Sequence, residues 1–472
     1  MTLRALLIAG ALLLGGCGKS GVPDAVMGIK LVSSEPVRDR ITDLSFQSPL
    51  LDREAKVRVM LPTDYDASGR TRYPVLYLLH GAGVDGYAAW TEGQQADGTQ
   101  GQLQDLLADG TKTSETEAMT AGLALIVVMP ESGKNGGYID WYNAGNFGPP
   151  AWESFHLGEL LPWIDAHYPT LAARNGRAVA GFSMGGYGAM HYAARHPDLF
   201  VAAAGFSPAV DKTDPLVIAN NSRGDPTTEL LGADQDSQGS LLTNMVYIRG
   251  HNPMDLAQNL AGVALTLRTG NGLSGLPPPL GEGSNRPDPV EAGVFEQAER
   301  FHEQLASLGI EHIWEAKAGA HTRSFAELKL RDTLPWLMDV FTKPPSAPAR
   351  VTYRSIDLYY EVFGWSVSLD RPAREFSELR NADASGFDLL GSGSAVVTTP
   401  AGYFSPGTPL TAELSSDDVP STGIAAKADD QGRLQIPIEL GPGNPYDEYS
   451  GDAAIAGTRV YAVHVKLPGA GG

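Results

Sequence analysis

The length and composition of the chain limit the classes of protein it can belong to. Its 472 residues exceed what one hydrophobic core usually holds, so we expect two domains. Hydrophobic residues make up 42% of the sequence and charged residues 19%, as in a globular protein. Its 35 basic and 55 acidic side chains give a net charge of -20. This balance predicts no nucleic-acid partner and no polybasic membrane patch, because phosphate binding needs clustered Lys and Arg.

The N-terminal segment has the pattern of an export signal. An apolar run from Ala5 to Leu14 follows one Arg, and small residues precede Cys17, the only cysteine of the chain. Residues 14–17, Leu-Gly-Gly-Cys, resemble the lipobox of bacterial lipoproteins, whose cysteine receives lipid after cleavage. We therefore expect a signal peptide at 1–16, a tether at 17–28 and an exported lipoprotein held on the membrane through Cys17. The alternative is an ordinary signal peptide with an incidental cysteine.

Apolar runs between positions 41 and 268 predict a mostly parallel sheet. Ile41–Ser48 and Ala55–Leu61 predict two antiparallel strands at the sheet edge. More continuous runs, typical of parallel strands buried on both faces, follow at Pro74–Leu79, Leu123–Met129, Arg177–Phe182, Val201–Phe206 and Ala264–Arg268. Helical patterns occur between and after them, notably at Ala151–His167 and Pro289–Leu308. This alternation predicts an α/β fold with an open, doubly wound sheet and ligands beyond the carboxyl ends of its strands.

The pattern changes twice along the rest of the chain. Residues 211–260 break the alternation and predict an insertion that walls or covers the site. Lys343–Ala349 is a proline-rich linker that would end a catalytic domain at 29–342. Short alternating runs then predict an all-β, sandwich-like domain at 350–472. They lie at Tyr353–Leu369, Ser394–Thr399, Leu434–Leu440 and Arg459–Leu467, and in the last of them Tyr461, Val463, Val465 and Leu467 share one face.

One short motif indicates chemistry. Gly181-Phe182-Ser183-Met184-Gly185 follows a predicted strand and opens a predicted helix that runs to about Arg195. A G-x-S-x-G motif in this context is a nucleophile elbow, in which the serine occupies a sharp, strained turn. Glycine at both flanking positions has a steric reason, because bulkier residues would collide with the turn. A chance match in a glycine-rich chain is the competing interpretation.

A serine hydroxyl becomes nucleophilic when a histidine accepts its proton and a carboxylate orients that histidine. In hydrolases with this elbow both partners follow the serine along the chain. We predict His321 as the base, because it lies in a loop between the predicted strand Ile310–Trp314 and the last helix, Phe325–Phe341. His251 is the reserve candidate.

Three acids follow the strand at 264–268: Glu282, Asp288 and Glu291. Asp288 and Glu291 flank Pro289 at a helix start, where acids commonly serve as N-caps or dipole partners. Glu282 has no such local role and is therefore the preferred acid, with the other two as alternatives.

The remaining site predictions concern backbone amides and aromatic side chains. An oxyanion needs two N–H donors, which we assign to Met184 and to Ala82 in the loop after His80. His80, Trp141 and Tyr142 are candidates for substrate binding, although aromatic residues here, Tyr138 among them, are as often part of the core. The sequence shows no clustered Cys or His ligands, so we expect neither a metal nor an organic cofactor.

Together these motifs resemble the putative-esterase family of α/β-hydrolases, which includes S-formylglutathione hydrolase-like esterases and trehalose mycolyltransferases. The matching segments are 73–81, 140–142, 152–163, 181–186, 196–200, 270–272 and 319–322. The resemblance implies an α/β-hydrolase fold with Ser183 as nucleophile, His321 as base and the Ala82 and Met184 amides as oxyanion donors. If the helix-opening proline of the mycolyltransferases corresponds to Pro289, it also implies Glu282 as the acid.

The chain departs from the mycolyltransferases around 273–288 and after His80, where their sugar-contacting residues are not found. Mycolyl transfer is therefore not implied. We predict a serine-dependent carboxylic ester hydrolase of the cell envelope that acts through an acyl-enzyme on a small-molecule or glycolipid ester. The alternatives are an acyltransferase to a sugar or glycolipid and a non-catalytic polysaccharide-binding lipoprotein. The all-β domain is expected to be a spacer, a lid or a carbohydrate-binding unit.

Overall fold

The computed structural model describes residues 25–26, 28–51, 53–82, 86–91, 114–133, 136–142, 150–214, 244–273, 287–416 and 419–468. Cys17, the predicted signal peptide, most of the tether and the preferred acid Glu282 lie outside these residues.

A ten-stranded mixed sheet organises the first part of the chain, in the order β1-β2-β3-β4-β6-β5-β7-β8-β9-β10. Its strands are β1 Ala25–Val26, β2 Ile29–Arg38, β3 Ile41–Gln47, β4 Ala55–Met60, β5 Val75–Leu79, β6 Ile126–Pro130, β7 Arg177–Phe182, β8 Ala202–Phe206, β9 Ala264–Gly270 and β10 His312–Lys317. Strands β1 to β4 pair antiparallel, and β4 also pairs antiparallel with β6. From β6 to β10 all neighbours are parallel. With the elbow after the central strand β7, this is the expected α/β-hydrolase fold.

Both faces of the parallel strands are covered, as their apolar runs predict. Along β5, Val75, Tyr77 and Leu79 join one hydrophobic core, whereas Leu76 and Leu78 join the core on the opposite face. The helices are α1 Glu115–Thr120, α2 Leu161–His167 after a π-helical segment Ser154–Leu160, α3 Met184–Arg195, α4 Met245–Gly250, α5 Pro289–Ser307, α6 Arg323–Thr342 and α7 Gly451–Ala456. None of the helices among the described residues has the length and apolar character needed to span a bilayer.

The C-terminal part forms two antiparallel sheets around a core of its own. The six-stranded sheet has the order β11-β14-β15-β20-β17-β18 and the four-stranded sheet the order β12-β13-β16-β19. Their strands are β11 Val351–Ser355, β12 Tyr359–Val362, β13 Trp365–Asp370, β14 Ser377–Asp383, β15 Gly386–Gly391, β16 Gly393–Thr398, β17 Pro409–Ser416, β18 Val419–Lys427, β19 Gln435–Gly441 and β20 Tyr461–Lys466. Side chains of both sheets share the core, for example Leu389 and Val397, which agrees with the predicted sandwich.

The two parts are joined by partly buried polar contacts at the last turn of α3. The Arg195 guanidinium donates to Asp357 at 3.0 Å, and the Tyr353 hydroxyl donates to the Arg195 carbonyl at 2.6 Å. Ile356 packs within the core of the first part. Helix α3 therefore connects the end of the central strand to the junction with the all-β part.

Candidate active site

Ser183 occupies a strained turn between β7 and α3. Its backbone has φ 56° and ψ -114°, a conformation that non-glycine residues seldom adopt. The flanking glycines are sterically required: a Cβ at Gly181 would lie 2.3 Å from the Gly185 carbonyl oxygen, and one at Gly185 would lie 2.4 Å from that of Leu79. The fold thus presents the hydroxyl at the carboxyl end of the central strand, as the elbow motif predicts.

The structure brings His321 to this serine. Ser183 Oγ lies 2.8 Å from His321 Nε2, and His321 Nδ1 lies 2.6 Å from Glu291 Oε2. The imidazole therefore donates from Nδ1 to the carboxylate and can accept the serine proton at Nε2. His321 comes from the loop after β10, and Glu291 comes from the first turn of α5. Residues far apart in sequence form one hydrogen-bonded row at the edge of the sheet, in the order a serine nucleophile requires.

Glu291 holds the position for which Glu282 was preferred. Its side chain is fully buried, and its Oε1 accepts hydrogen bonds from the Ser207 hydroxyl at 2.6 Å and the Gly270 amide at 2.5 Å. Asp288 is the N-cap of α5, as its position predicts. Its Oδ2 accepts a hydrogen bond from the backbone N–H of His321 at 2.7 Å.

The preference for Glu282 rested on giving both Asp288 and Glu291 local roles at the helix start. That argument applies to Asp288 but fails for Glu291, whose carboxylate points across the end of β9 instead. Among the described residues, the carboxylate in contact with His321 Nδ1 is therefore that of an alternative acid, Glu291.

The proposed oxyanion donors lie beside the serine. Met184 is the first residue of α3, so its N–H has no intrahelical partner. The loop carrying Ala82 passes close to the nucleophile, because a Cβ at Gly81 would lie 3.5 Å from the Ser183 Cβ.

His80 fixes this loop from within the core. Its Nδ1 donates to the Gly81 carbonyl at 2.8 Å, and its Nε2 accepts the Ser132 N–H at 3.0 Å. Burial lowers the pKa of His80 to about 4, so the ring is neutral. With both nitrogens bonded to backbone, His80 positions the loop and has no polar ring atom left for a substrate.

The aromatic residues considered for substrate binding lie in three different environments. Tyr138 is fully buried and donates its hydroxyl to the His80 carbonyl, so it belongs to the core. Trp141 is half-buried and donates from its indole to the Gly136 carbonyl at 3.1 Å. Tyr142 packs edge-on against Tyr247, and the guanidinium of Arg374 from the all-β part lies over its ring. These contacts place Tyr142 at the junction of the two parts.

A small cavity of about 40 Å³ lies beside Phe182, the residue before the nucleophile. It is lined by the loop after His80, by Trp90, by the residue before the nucleophile and by the start of α6. The residues are Gly81, Ala82, Trp90, Phe182, Arg323 and Ala326. The Phe182 ring also lies 4.6 Å from the His321 ring, between centroids. The cavity has room only for a small substituent of an ester whose carbonyl lies at Ser183.

A second group of ionisable side chains lies around the opposite half of α3. Glu153, His191 and the reserve candidate His251 are all buried, and each offers one ligand atom within 4.8 Å of the others. Glu153 Oε1 accepts from Arg195 at 2.6 Å and lies 2.8 Å from His196 Nε2. His251 is thus part of this cluster and not of the serine site. The expectation of no clustered metal ligands also needs correction, because residues widely separated in sequence form such a cluster here.

Comparison with known proteins shows the family. The protein-family model described as putative esterase matches residues 48–371, which is more than half of the chain. An esterase from Mycobacterium tuberculosis is 33% identical over 300 residues, covering 62% of this chain and 58% of that protein. The diacylglycerol acyltransferase/mycolyltransferase Ag85B of Mycobacterium leprae is 39% identical over 93 residues, covering 19% of this chain and 28% of that one.

Among solved structures, a ferulic acid esterase is 21% identical, with 64% of this chain and 98% of that chain covered at a TM-score of 0.41. The chain thus spans a little over half the length of the Mycobacterium tuberculosis esterase it matches. The extent of the family-model match identifies it as a member of the putative esterase family.

Proposed function

We propose that this protein is a serine hydrolase that cleaves carboxylic esters through an acyl-enzyme. The observation that carries the proposal is the hydrogen-bonded row of Ser183, His321 and Glu291, with the serine on a strained elbow. Membership of the putative esterase family supports it. The same arrangement is used for acyl transfer on several unrelated folds.

In the proposed mechanism each group has its own step. Ser183 Oγ attacks the ester carbonyl carbon while His321 Nε2 accepts its proton, and Glu291 stabilises the resulting imidazolium. The Met184 and Ala82 amides stabilise the negative charge that develops on the carbonyl oxygen. His321 then returns the proton to the leaving alcohol, which departs as the acyl-enzyme forms. A water oxygen then attacks the acyl carbon while His321 Nε2 accepts its proton. The bond from the acyl carbon to Ser183 Oγ breaks, the acid leaves, and His321 returns the proton to Oγ.

A fluorophosphonate probe combined with an activated ester such as p-nitrophenyl acetate tests the proposal. The folded wild-type protein and a Ser307→Ala control should be labelled and active, because Ser307 is an exposed residue at the end of α5. The Ser183→Ala variant should lose labelling and at least about 10⁴-fold in kcat/KM. Absence of labelling in the folded wild-type protein would refute the proposal and favour the non-catalytic binding protein.

Transfer to an alcohol is a second candidate, favoured by the similarity of one stretch to the Ag85B mycolyltransferase. It differs only in whether water or another hydroxyl attacks the acyl-enzyme. Incubation with an activated ester and a panel of sugar and glycerol acceptors separates the two. Acylated acceptor in excess of free acid would assign transfer, and free acid alone would assign hydrolysis.

We also propose that the protein acts at the cell envelope as a lipoprotein anchored through Cys17, on the basis of its lipobox-like segment. Radiolabelled palmitate should be incorporated into the full chain expressed in a bacterial host, and not into a Cys17→Ala variant. Equal labelling of both chains would refute the anchor without affecting the proposed chemistry.

A further inference from the structure

We propose that Glu153, His191 and His251 bind a divalent transition metal ion, with Zn²⁺ as the best fit. Two imidazoles and one carboxylate are a common ligand set for this ion. All three side chains are buried, and their ligand atoms lie within 4.8 Å of one another. The site is separate from the serine site, so the proposal does not depend on ester cleavage.

His191 provides the strongest argument. It is fully buried on α3, and neither of its ring nitrogens has a hydrogen-bond partner among the described residues. A buried polar atom without a partner costs roughly 1–3 kcal/mol. His191 Nε2 lies 3.8 Å from Glu153 Oε2, which is too long for a hydrogen bond. Two ligands that each bond a tetrahedral zinc ion at about 2.0–2.1 Å lie about 3.3 Å apart, so these two atoms would approach each other by roughly half an ångström to bind one.

His251 has the orientation of a metal-binding histidine. Its Nδ1 lies 2.8 Å from the Tyr247 carbonyl oxygen and must therefore carry the proton. Nε2 is then left with a free lone pair. Metal-binding histidines commonly donate their other ring N–H to a backbone carbonyl in this way, which fixes the tautomer and the ring plane.

Glu153 keeps one oxygen available for the ion. Its Oε1 is occupied by Arg195 and His196, whereas Oε2 faces His191. Arg195 is thus bonded on the side of the carboxylate away from the proposed ion, and its other end donates to Asp357. The carboxylates of Glu153 and Asp357 outnumber the guanidinium by one negative charge, which favours a dication at this buried position.

The ion would connect three segments: the turn before the π-helical segment, α3, and the residue after α4. It would draw the ligand atoms together, hold α4 against α3 and leave one tetrahedral position to water.

Metal uptake by the full-length protein tests the site. Protein treated with EDTA, freed of chelator and incubated with Zn²⁺ should retain about one ion per chain after gel filtration, measured by mass spectrometry of the elements. His191→Leu and His251→Leu should each weaken binding more than about 100-fold. His302→Ala is the matched control, because His302 and His312 form a partly exposed pair with ring nitrogens 2.6 Å apart that could hold zinc adventitiously.

Retention of about one ion by the wild-type protein and the His302→Ala control, with loss in both buried-histidine variants, would support the site. No retained ion in the wild-type protein, or loss only in the control, would overturn it. If the buried-histidine variants fail to fold, Co²⁺ substitution in the His302→Ala control decides. Intense visible d–d bands of a four-coordinate ion support the site, and their absence overturns it. Fluorophosphonate labelling of Ser183 reports on the other proposal independently.

Discussion

The two ends of helix α3 hold similar residues in different environments. At its start, Ser183 meets a histidine that a glutamate holds, so that both imidazole nitrogens of His321 are hydrogen-bonded. Around its last turns, Glu153 lies near His191 and His251, but its carboxylate is hydrogen-bonded to Arg195 and His196 instead. Part of the His321 side chain, 13%, remains exposed, whereas His191 is completely buried. The difference between the two ends lies in access and pairing, not in residue type.

This contrast separates a reactive site from a structural one. The glutamate at the serine site has hydrogen-bond donors on one oxygen and the imidazole on the other, which suits it to stabilise an imidazolium. Burial alone would raise the pKa of Glu153, but the Arg195 guanidinium and the hydrogen bond with His196 hold that pKa well below its usual range. An ionised carboxylate paired with a buried guanidinium stabilises the junction of the two parts. We therefore expect changes at the first end to affect turnover and changes at the second to affect stability.

The largest effect is expected for Glu291→Gln. A glutamine keeps the size of the side chain but removes the charge that stabilises the imidazolium. Its amide NH2 also takes the place of one carboxylate oxygen and cannot accept the hydrogen bonds made to that oxygen. We expect kcat to fall about 10³- to 10⁴-fold with little change in KM or in the free energy of unfolding. Steady-state kinetics on p-nitrophenyl acetate and urea denaturation measure both.

Glu282→Gln is the matched control, because it makes the same chemical change at the acid preferred from the sequence. Its kcat should stay within about threefold of the wild-type value, a change of less than 1 kcal/mol in the barrier. If Glu282→Gln were the inactive variant and Glu291→Gln the active one, the assignment of the acid would be reversed.

Arg195→Met tests the second end of the helix. It leaves the buried Glu153 carboxylate without its cation, and breaking a buried pair in this way costs about 3–5 kcal/mol of the free energy of unfolding. Arg350→Met is the control, because Arg350 is 66% exposed and its contact with Asp383 lies at the surface, where ion pairs contribute up to about 1 kcal/mol. Urea denaturation at neutral pH measures both. Equal losses in the two variants would show that the junction pair has no special weight.

The pH dependence of this loss provides a finer test. In the wild-type protein the pKa values of Glu153 and Asp357 are lowered: burial opposes this, and Arg195 outweighs it. Groups with a lowered pKa in the folded state stabilise it above their unfolded pKa values, about 4, and this contribution disappears as the pH falls through the folded values. The difference in unfolding free energy between wild type and Arg195→Met should therefore be largest near pH 8 and shrink as the pH falls, beginning above pH 4, because burial raises the pKa of Glu153 once Arg195 is removed. A constant difference down to pH 3 would contradict the ion-pair explanation.

Local patterns were sufficient for the parts of the molecule that local chemistry determines. The elbow could be predicted because the glycines at 181 and 185 and the strand and helix around them are contiguous. His321 could be predicted because its loop follows the last parallel strand. Strand β2 could not, because most of its side chains are exposed or only partly buried, and no apolar pattern marks it.

The role of Glu291 depends on tertiary structure. At the third position of a helix that opens with Asp288 and Pro289, its sequence context indicates a dipole partner, and only the approach of α5 to the ends of β8 and β9 reveals its contacts. The feature of the sequence that could have indicated this role is Gly270. A Cβ at that position would lie 2.7 Å from Glu291 Oε1, so a glycine there leaves room for the carboxylate. The cluster of Glu153, His191 and His251 has no sequence signature, since its members belong to three separate segments.

The smallest effect is expected for Ser207→Ala, which tests how firmly Glu291 is held. Ser207 follows β8 with φ 44° and donates to Glu291 Oε1 at 2.6 Å. Its removal leaves the amide of Gly270 and the hydroxyl of Thr269, at 3.2 Å, as donors to the same oxygen. A net hydrogen bond to a charged group is worth about 1.5–3 kcal/mol, and the remaining donors compensate for part of this, so we expect kcat to fall about tenfold with KM unchanged. Thr269→Val is the control, and its effect should be smaller because the bond it removes is longer. Since Ser207 acts through Glu291, the double variant Ser207→Ala/Glu291→Gln should be no slower than Glu291→Gln alone, and additive losses would mean that Ser207 supports the site by another route.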